Sequence, residues 1–347
     1  GSSDPNWRER YWISLHDVAR QDFILSAGFG KYPNQDVMEA CAMAQCGTVQ
    51  HNLRVSQQLR PQVDTMQVGP FSVEVIEPLE TLRFEIAANP SSIEGRFTWQ
   101  AALPAMLEGR HFEINRSRVS HDLARYVQLG RVEGELAIGG QSFALDPRTA
   151  WAERDHSWGI RPMAPFPGEP PVQSAEWNFL AFCPIQFTDF AVHFYLFEAQ
   201  AGRPTHLSAS LVRRDGADED DPIESVEHDF RWAPGAPVIT LEGGRIVLRM
   251  FSGKRVEIEL RALTPRVYLR GGGYGVDHGR WKGESHLEHD RWNLGDTQRL
   301  RDYAASSSDH LIEARCGGET GYGIIEYMVR RGHTKYAAAL PPSRRRD

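Results

Sequence analysis

Short stretches of strict apolar–polar alternation run through this chain, and they limit what it can become. Phe71-Ser72-Val73-Glu74-Val75-Ile76 and Leu82-Arg83-Phe84-Glu85-Ile86 each repeat every second residue. Val132 to Ile138 does the same, meets Gly139-Gly140, and resumes as Gln141 to Leu145. A period of two puts one face of a strand inward and the other outward. Val238 to Leu241, Arg245 to Phe251 and Arg255 to Leu260, separated by Gly243-Gly244 and Gly253-Lys254, read as strand, turn, strand, turn, strand. Strands of this length joined by glycine-containing turns predict an all-β, antiparallel sandwich or barrel. Helical spacing is confined to Asp36–Gln45 and Asp296–Ala305, so few short helices are expected. The strand–helix alternation of a dinucleotide-binding fold is absent.

The 347 residues exceed one ordinary domain. The Pro-rich run Pro162 to Pro171 suits neither a central strand nor a helix. It predicts a junction between residues 1–165 and residues 166–347. Asp215 to Pro222 reads as an exposed acidic loop. A short echo supports two copies of one unit. Gly130-Arg131-Val132-Glu133-Gly134-Glu135 resembles Gly279-Arg280-Trp281-Lys282-Gly283-Glu284, and each precedes an Arg-Asp-aromatic string, Arg154-Asp155-His156 or Arg301-Asp302-Tyr303.

A formal net charge of −7 argues against nucleic acid as a partner. The one dense basic run, Arg344-Arg345-Arg346, reads as a tail. No apolar run is long enough for a membrane helix. Cys41, Cys46, Cys183 and Cys316 form no disulfide framework or zinc spacing, and no secretory leader is visible, so a cytoplasmic protein with reduced thiols is expected.

The densest chemistry lies in Arg154-Asp155-His156-Ser157-Trp158-Gly159. On a strand, Arg154, His156 and Trp158 share one face, and Asp155 and Ser157 the other. Gly159 and Pro162 mark the strand's exit. This string, following the Gly-Arg-x-x-Gly strand, resembles the hydroxyneurosporene synthase (carotenoid 1,2-hydratase) and AttH-like superfamily. The string from Gly271 to Gly275 and on through His278 to Glu284 is similar to its uncharacterised bacterial members. The resemblance runs from about Trp12 to Tyr327. It implies two lipocalin-like β-barrels packed together around an apolar cavity. It also implies a catalytic His-x-Trp pair, matched by His156 and Trp158, and a downstream Tyr-x-Asp pair, whose nearest equivalent is Phe187-Thr188-Asp189. Tyr274, His278 and Trp281 fall in the second string and are expected at the ligand.

The expected chemistry is hydration, cyclisation or isomerisation of a hydrophobic small molecule such as a terpenoid, steroid or aromatic compound. Protonating an alkene needs a carboxylic acid kept neutral by an apolar wall, a role for Asp155 or Asp189. The cation needs π faces, for which Trp158, Trp177, Phe179, Phe182 and Tyr195 are candidates. His156 would orient the acid or serve as base, and Arg154 or Arg161 would stabilise an enolate or carboxylate. No metal or organic cofactor is required. Two other readings remain: a non-catalytic lipocalin-like carrier of an apolar ligand, and a metal-dependent enzyme centred on His278 and His286. A serine hydrolase is disfavoured, because no Gly-x-Ser-x-Gly elbow surrounds Ser157.

Overall fold

The computed structural model describes residues 2–115, 117–161, 177–215 and 221–342. The Pro-rich run, most of the acidic loop and the basic tail lie outside the described residues. Alternating segments become strands as expected: Phe71–Glu77, Thr81–Ile86, Gln141–Leu145 and Arg255–Tyr268 are all extended. Two curved antiparallel sheets result, with one short α-helix among the described residues. The all-β class and the pair of packed barrel-like sheets are as predicted.

The first sheet has fourteen strands. Its centre is Trp7–Asp17, Ala150–Ile160 and Arg118–Ile138, paired in that order. Its far edge is Ser285–Asn293, which pairs with Val49–Gln58 over its whole length although it comes from the second half of the chain. The second sheet has eight strands, and Phe179–Gln186, Glu319–Val329 and Ser308–Cys316 lie side by side near its middle. Each sheet curls around its own apolar core. Ile13, Phe23, Phe97 and Trp99 fill the first, and Phe179, Phe194, Ile246 and Ile325 the second. A third cluster, including Trp12, Met43, Val127, Phe182, Tyr195 and Leu311, lies between the sheets.

That middle layer explains several departures from the sequence reading. Asp36–Gln45 is no helix. Val37–Cys46 is a strand whose Ala40, Ala42 and Ala44 enter the first core while Cys41 and Met43 enter the middle cluster. A strand buried on both faces loses its alternation, and its small unbranched residues imitate a helix. Gly243-Gly244 is no turn either, since Leu241–Met250 runs straight through it. A Cβ there would come within 2.3 Å of Leu260 O or 2.4 Å of Asp229 O, so these glycines admit flanking strands. The echo between Gly130 and Gly279 is not structural. Gly130 is within a strand and Gly279 ends a run of turns, while Arg154 is on a strand and Arg301 on the helix Thr297–Tyr303. That helix was expected. Asp296 caps it, accepting from the backbone N–H groups of Gln298 and Arg299, and Tyr303 stacks on Trp292 at 4.3 Å.

Candidate active site between the sheets

Strand alternation sorts the central strands of the first sheet into two sets. Along Trp7–Asp17, Tyr11, Ile13 and Leu15 point into the first core, while Arg10, Trp12 and Ser14 meet the second sheet. Along Ala150–Ile160 the same rule sends Arg154 and His156 inward and turns Asp155 and Ser157 toward the second sheet.

Asp155 and Ser157 line a small cavity of about 30 Å³, with Arg10, Trp12, Arg125, Arg161, Phe182, Tyr195, Tyr274, Asp309 and Glu326 around it. Arg161, Tyr195, Tyr274 and Glu326 also line an outer cavity of about 430 Å³. The outer wall adds Trp177, Leu180, Phe197, Val276 and Met328, an apolar set broken by Arg8, His121, His278 and Arg330. The inner chamber thus adjoins a pocket of the size that holds a small organic ligand.

Charge in the inner chamber is unevenly arranged. Asp155 is 9% exposed, and no hydrogen bond reaches its carboxylate among the described residues. Burial pushes its pKa up, and the Arg125 guanidinium pulls against that, with Arg10 and Arg161 also opposing. Arg125 spans the rings of Phe182 and Tyr195, at 4.5 and 4.3 Å, and pairs with buried Glu108 at 2.8 Å. Glu108 accepts a second contact from His193 Nε2 at 2.7 Å.

Asp309 is 1% exposed and sits in a different field. Its Oδ2 accepts from the hydroxyls of Ser14 at 2.8 Å and Ser26 at 2.6 Å. Trp12 Nε1 donates to Ser14 Oγ at 3.2 Å, so Ser14 passes its own proton on. Burial is the largest influence on Asp309 and the neighbouring Glu326 charge adds to it. Together they push it up to about 7. Glu153, buried in the same layer, is raised too, by burial first and then by Asp155 and Asp309.

The other sequence-derived candidates scatter. Arg161, Trp177, Phe182, Tyr195, Tyr274 and His278 line one or both cavities. His156 lines neither. It stacks on Tyr11 at 4.0 Å, with Nε2 2.9 Å from Glu9 Oε1 and Nδ1 3.2 Å from the Tyr126 hydroxyl. Arg154 is sealed in the first core, donating to Tyr126 and Gln128 with its guanidinium over Trp99. Trp158 and Trp281 are 37% and 53% exposed. Phe179 belongs to the second core, stacked on His228. Asp189 is in the exposed turn before Phe190, paired with Arg214 at 3.5 Å. A buried acid was wanted there, and an exposed turn cannot keep a carboxyl dry. His278 and His286 form no joint centre. His278 Nδ1 is held 2.7 Å from Glu39, and His286 Nε2 is 2.9 Å from Glu288.

Sequence reasoning missed Asp309, Glu326, Arg10 and Arg125. A signal existed for the first: Ser308-Asp309-His310 sets a carboxyl and an imidazole at the head of the apolar run Leu311-Ile312. With His156 off the cavity, His156→Ala is expected to cost about 1–2 kcal/mol of stability and leave apolar-ligand binding unchanged. Urea unfolding and fluorescence titration check both halves.

Two curved antiparallel sheets joined along their faces define a lipocalin-like architecture shared with several solved structures. A Nitrosomonas europaea protein assigned as an AttH superposes with a TM-score of 0.59 at 12% identity, covering 93% of this chain and 92% of that one. Kievitone hydratase from Nectria haematococca gives 0.51 at 13% identity, over 92% and 88%. CghA, solved with Sch210972, gives 0.51 at 14% identity, over 94% and 89%. At such identities the likeness is one of fold. No curated protein matches the sequence. The chain belongs to the family of unknown function DUF8625, whose model matches residues 1–337.

Proposed function

We propose that this protein is an acid–base enzyme of the hydratase, cyclase or isomerase class, acting on a hydrophobic small molecule held between its two sheets. One observation carries the reading. Asp309, a carboxyl raised to about 7, lines the inner chamber that also holds Trp12, Phe182, Tyr195 and Tyr274. An acid still protonated near neutrality can deliver a proton that an exposed carboxylate cannot. The solved relatives of this fold include a hydratase, which supports the class and leaves the substrate open.

In this reading the ligand body, a terpenoid, steroid or aromatic compound, occupies the outer cavity against Trp177, Phe197 and Met328. Its alkene or carbonyl reaches the inner chamber. Asp309 gives its proton to the substrate, and the aromatic rings stabilise the cation. Asp155 is the matching base: burial raises its pKa, and Arg125, Arg10 and Arg161 oppose that rise. In a hydration it takes a proton from the attacking water. In a cyclisation or isomerisation it takes one from the carbocation. Both carboxyls are raised by burial, but Asp155 faces arginines and Asp309 faces Glu326, so the two can divide base and acid work.

The test is a panel of terpenoid alkenes, steroid enones and aryl alkenes incubated with protein in D2O and followed by mass spectrometry. A product carrying one new deuterium at carbon is expected, with turnover falling at least about 100-fold in Asp309→Asn and in Asp155→Asn. Tight binding without conversion across the panel would favour the carrier reading. Full turnover in Asp309→Asn would remove this acid from the mechanism.

A further inference from the structure

The outer cavity has a second chemical feature that the acid–base reading does not use. His111 and Glu113 are two apart on the strand His111–Asn115, so they share a face. His121, on the neighbouring strand Arg118–Ile138, lies directly opposite Glu113 in register. The carboxylate therefore sits between two imidazoles. Glu113 Oε1 is 2.8 Å from His111 Nε2, and Oε2 is 3.2 Å from His121 Nδ1. One ligand-type atom from each of the three lies within 4.8 Å of the others.

We propose that His111, Glu113 and His121 bind a divalent first-row transition-metal ion of the Zn2+ or Fe2+ kind at the wall of the outer cavity. Two imidazoles and a carboxylate are a donor set that such ions take while keeping positions open for water or substrate. Nitrogen and oxygen ligands lie about 2.0–2.2 Å from such an ion, which places ligand atoms roughly 3–3.5 Å apart. With its ligand atoms within 4.8 Å of one another, the cluster needs about 1.3–1.8 Å of closure at most, within reach of side-chain rotations.

The surroundings suit a metal ligand set. His111 stacks on His121 at 4.7 Å, and His206 from the second sheet stacks on the other neighbour side of the group, 4.2 Å from His111. Ring stacking of this kind fixes imidazole planes, as outer contacts do around bound metals. His111 is 4% exposed, and its Nδ1 is buried with no hydrogen-bond partner among the described residues. His121 also lines the outer cavity, which gives an ion a route in. None of the three residues lines the inner chamber, so the proposal stands apart from the acid–base reading.

The experiment uses the full chain, free of any polyhistidine tag and never exposed to chelator or nickel resin. Zn2+ is titrated by calorimetry and Co2+ by visible absorption. One equivalent is expected to bind at micromolar or tighter affinity. His111→Ala and His121→Ala are each expected to weaken it roughly 100-fold or more, while Asp309→Asn binds like the wild type. Glu113→Gln keeps the shape of the cluster and serves if a histidine variant unfolds. It too should weaken binding and alter the Co2+ spectrum. No saturable binding to the wild type, or affinity unchanged in the folded variants, overturns the site. Loss of turnover in Asp309→Asn with metal binding intact separates this result from a failure of the acid–base proposal.

Discussion

At pH 8 the Asp309→Asn protein should be more stable than the wild type, by about 2–4 kcal/mol, and at pH 4 the two should be nearly equal. Proton linkage sets the sign and the size of the gap. Asp309 moves from an ordinary 3.8 in the unfolded chain to about 7 in the fold. Below the lower value both states carry the proton, and its folded environment costs nothing extra. Between the two values the folded protein holds a proton that the unfolded chain has released. Stability therefore falls as pH rises through this window and levels off above the folded value. Each unit is worth about 1.4 kcal/mol, which sets the size of the effect. Asparagine is neutral throughout and still accepts from Ser14 and Ser26, so the variant escapes the loss. Taking the difference between the two proteins cancels the titration of every other group that the substitution leaves alone. Urea unfolding at pH 4, 6 and 8 reads the gap. A gap of the same size at all three would show that Asp309 is an ordinary carboxylate.

Gly159→Ala should cost at least about 3 kcal/mol, through strain and overpacking together. Gly159 pairs with Arg8 on one side and Leu123 on the other, so it lies inside the strand Ala150–Ile160 and does not end it. Its φ is +131°, and a Cβ would fall 2.0 Å from the carbonyl oxygen of Asp122. Backbone cannot retreat as a flexible side chain can, so the strand carrying Asp155 must separate from Arg118–Ile138. Chemical denaturation gives the loss, and apolar-ligand binding should weaken with it. A variant of near wild-type stability would mean that the two strands are not in this register.

These two residues show what the sequence discloses and what it hides. The alternation in Arg154 to Gly159 correctly separated Arg154 and His156 from Asp155 and Ser157. It could not tell which face meets a cavity, because both faces of this strand are buried. The denser set of reactive groups proved to be the one pointing into the first core. Outer strands such as Phe71–Glu77, with one wet face, were plain, whereas Val37–Cys46, with two dry ones, imitated a helix. Asp309 was harder still. Its partners Ser14 and Ser26 lie 295 and 283 positions away, and its raised pKa comes from the pile-up of those strands. No local pattern records such a meeting. The glycines fared between these limits: Gly139-Gly140 was a turn as read, and Gly243-Gly244 was a place where strands come close.

The strand Ser285–Asn293 has a consequence for how the chain is made. It closes the edge of the first sheet by pairing with Val49–Gln58. On the ribosome, Gln58 emerges long before Ser285. At roughly 5–20 residues per second the interval is on the order of tens of seconds. For that time the nascent first sheet has an open strand edge that can recruit another chain. A chaperone that shields nascent chains would therefore matter most before residue 293 is synthesised. Slowing translation between the two strands should lower soluble yield more than slowing it after the second.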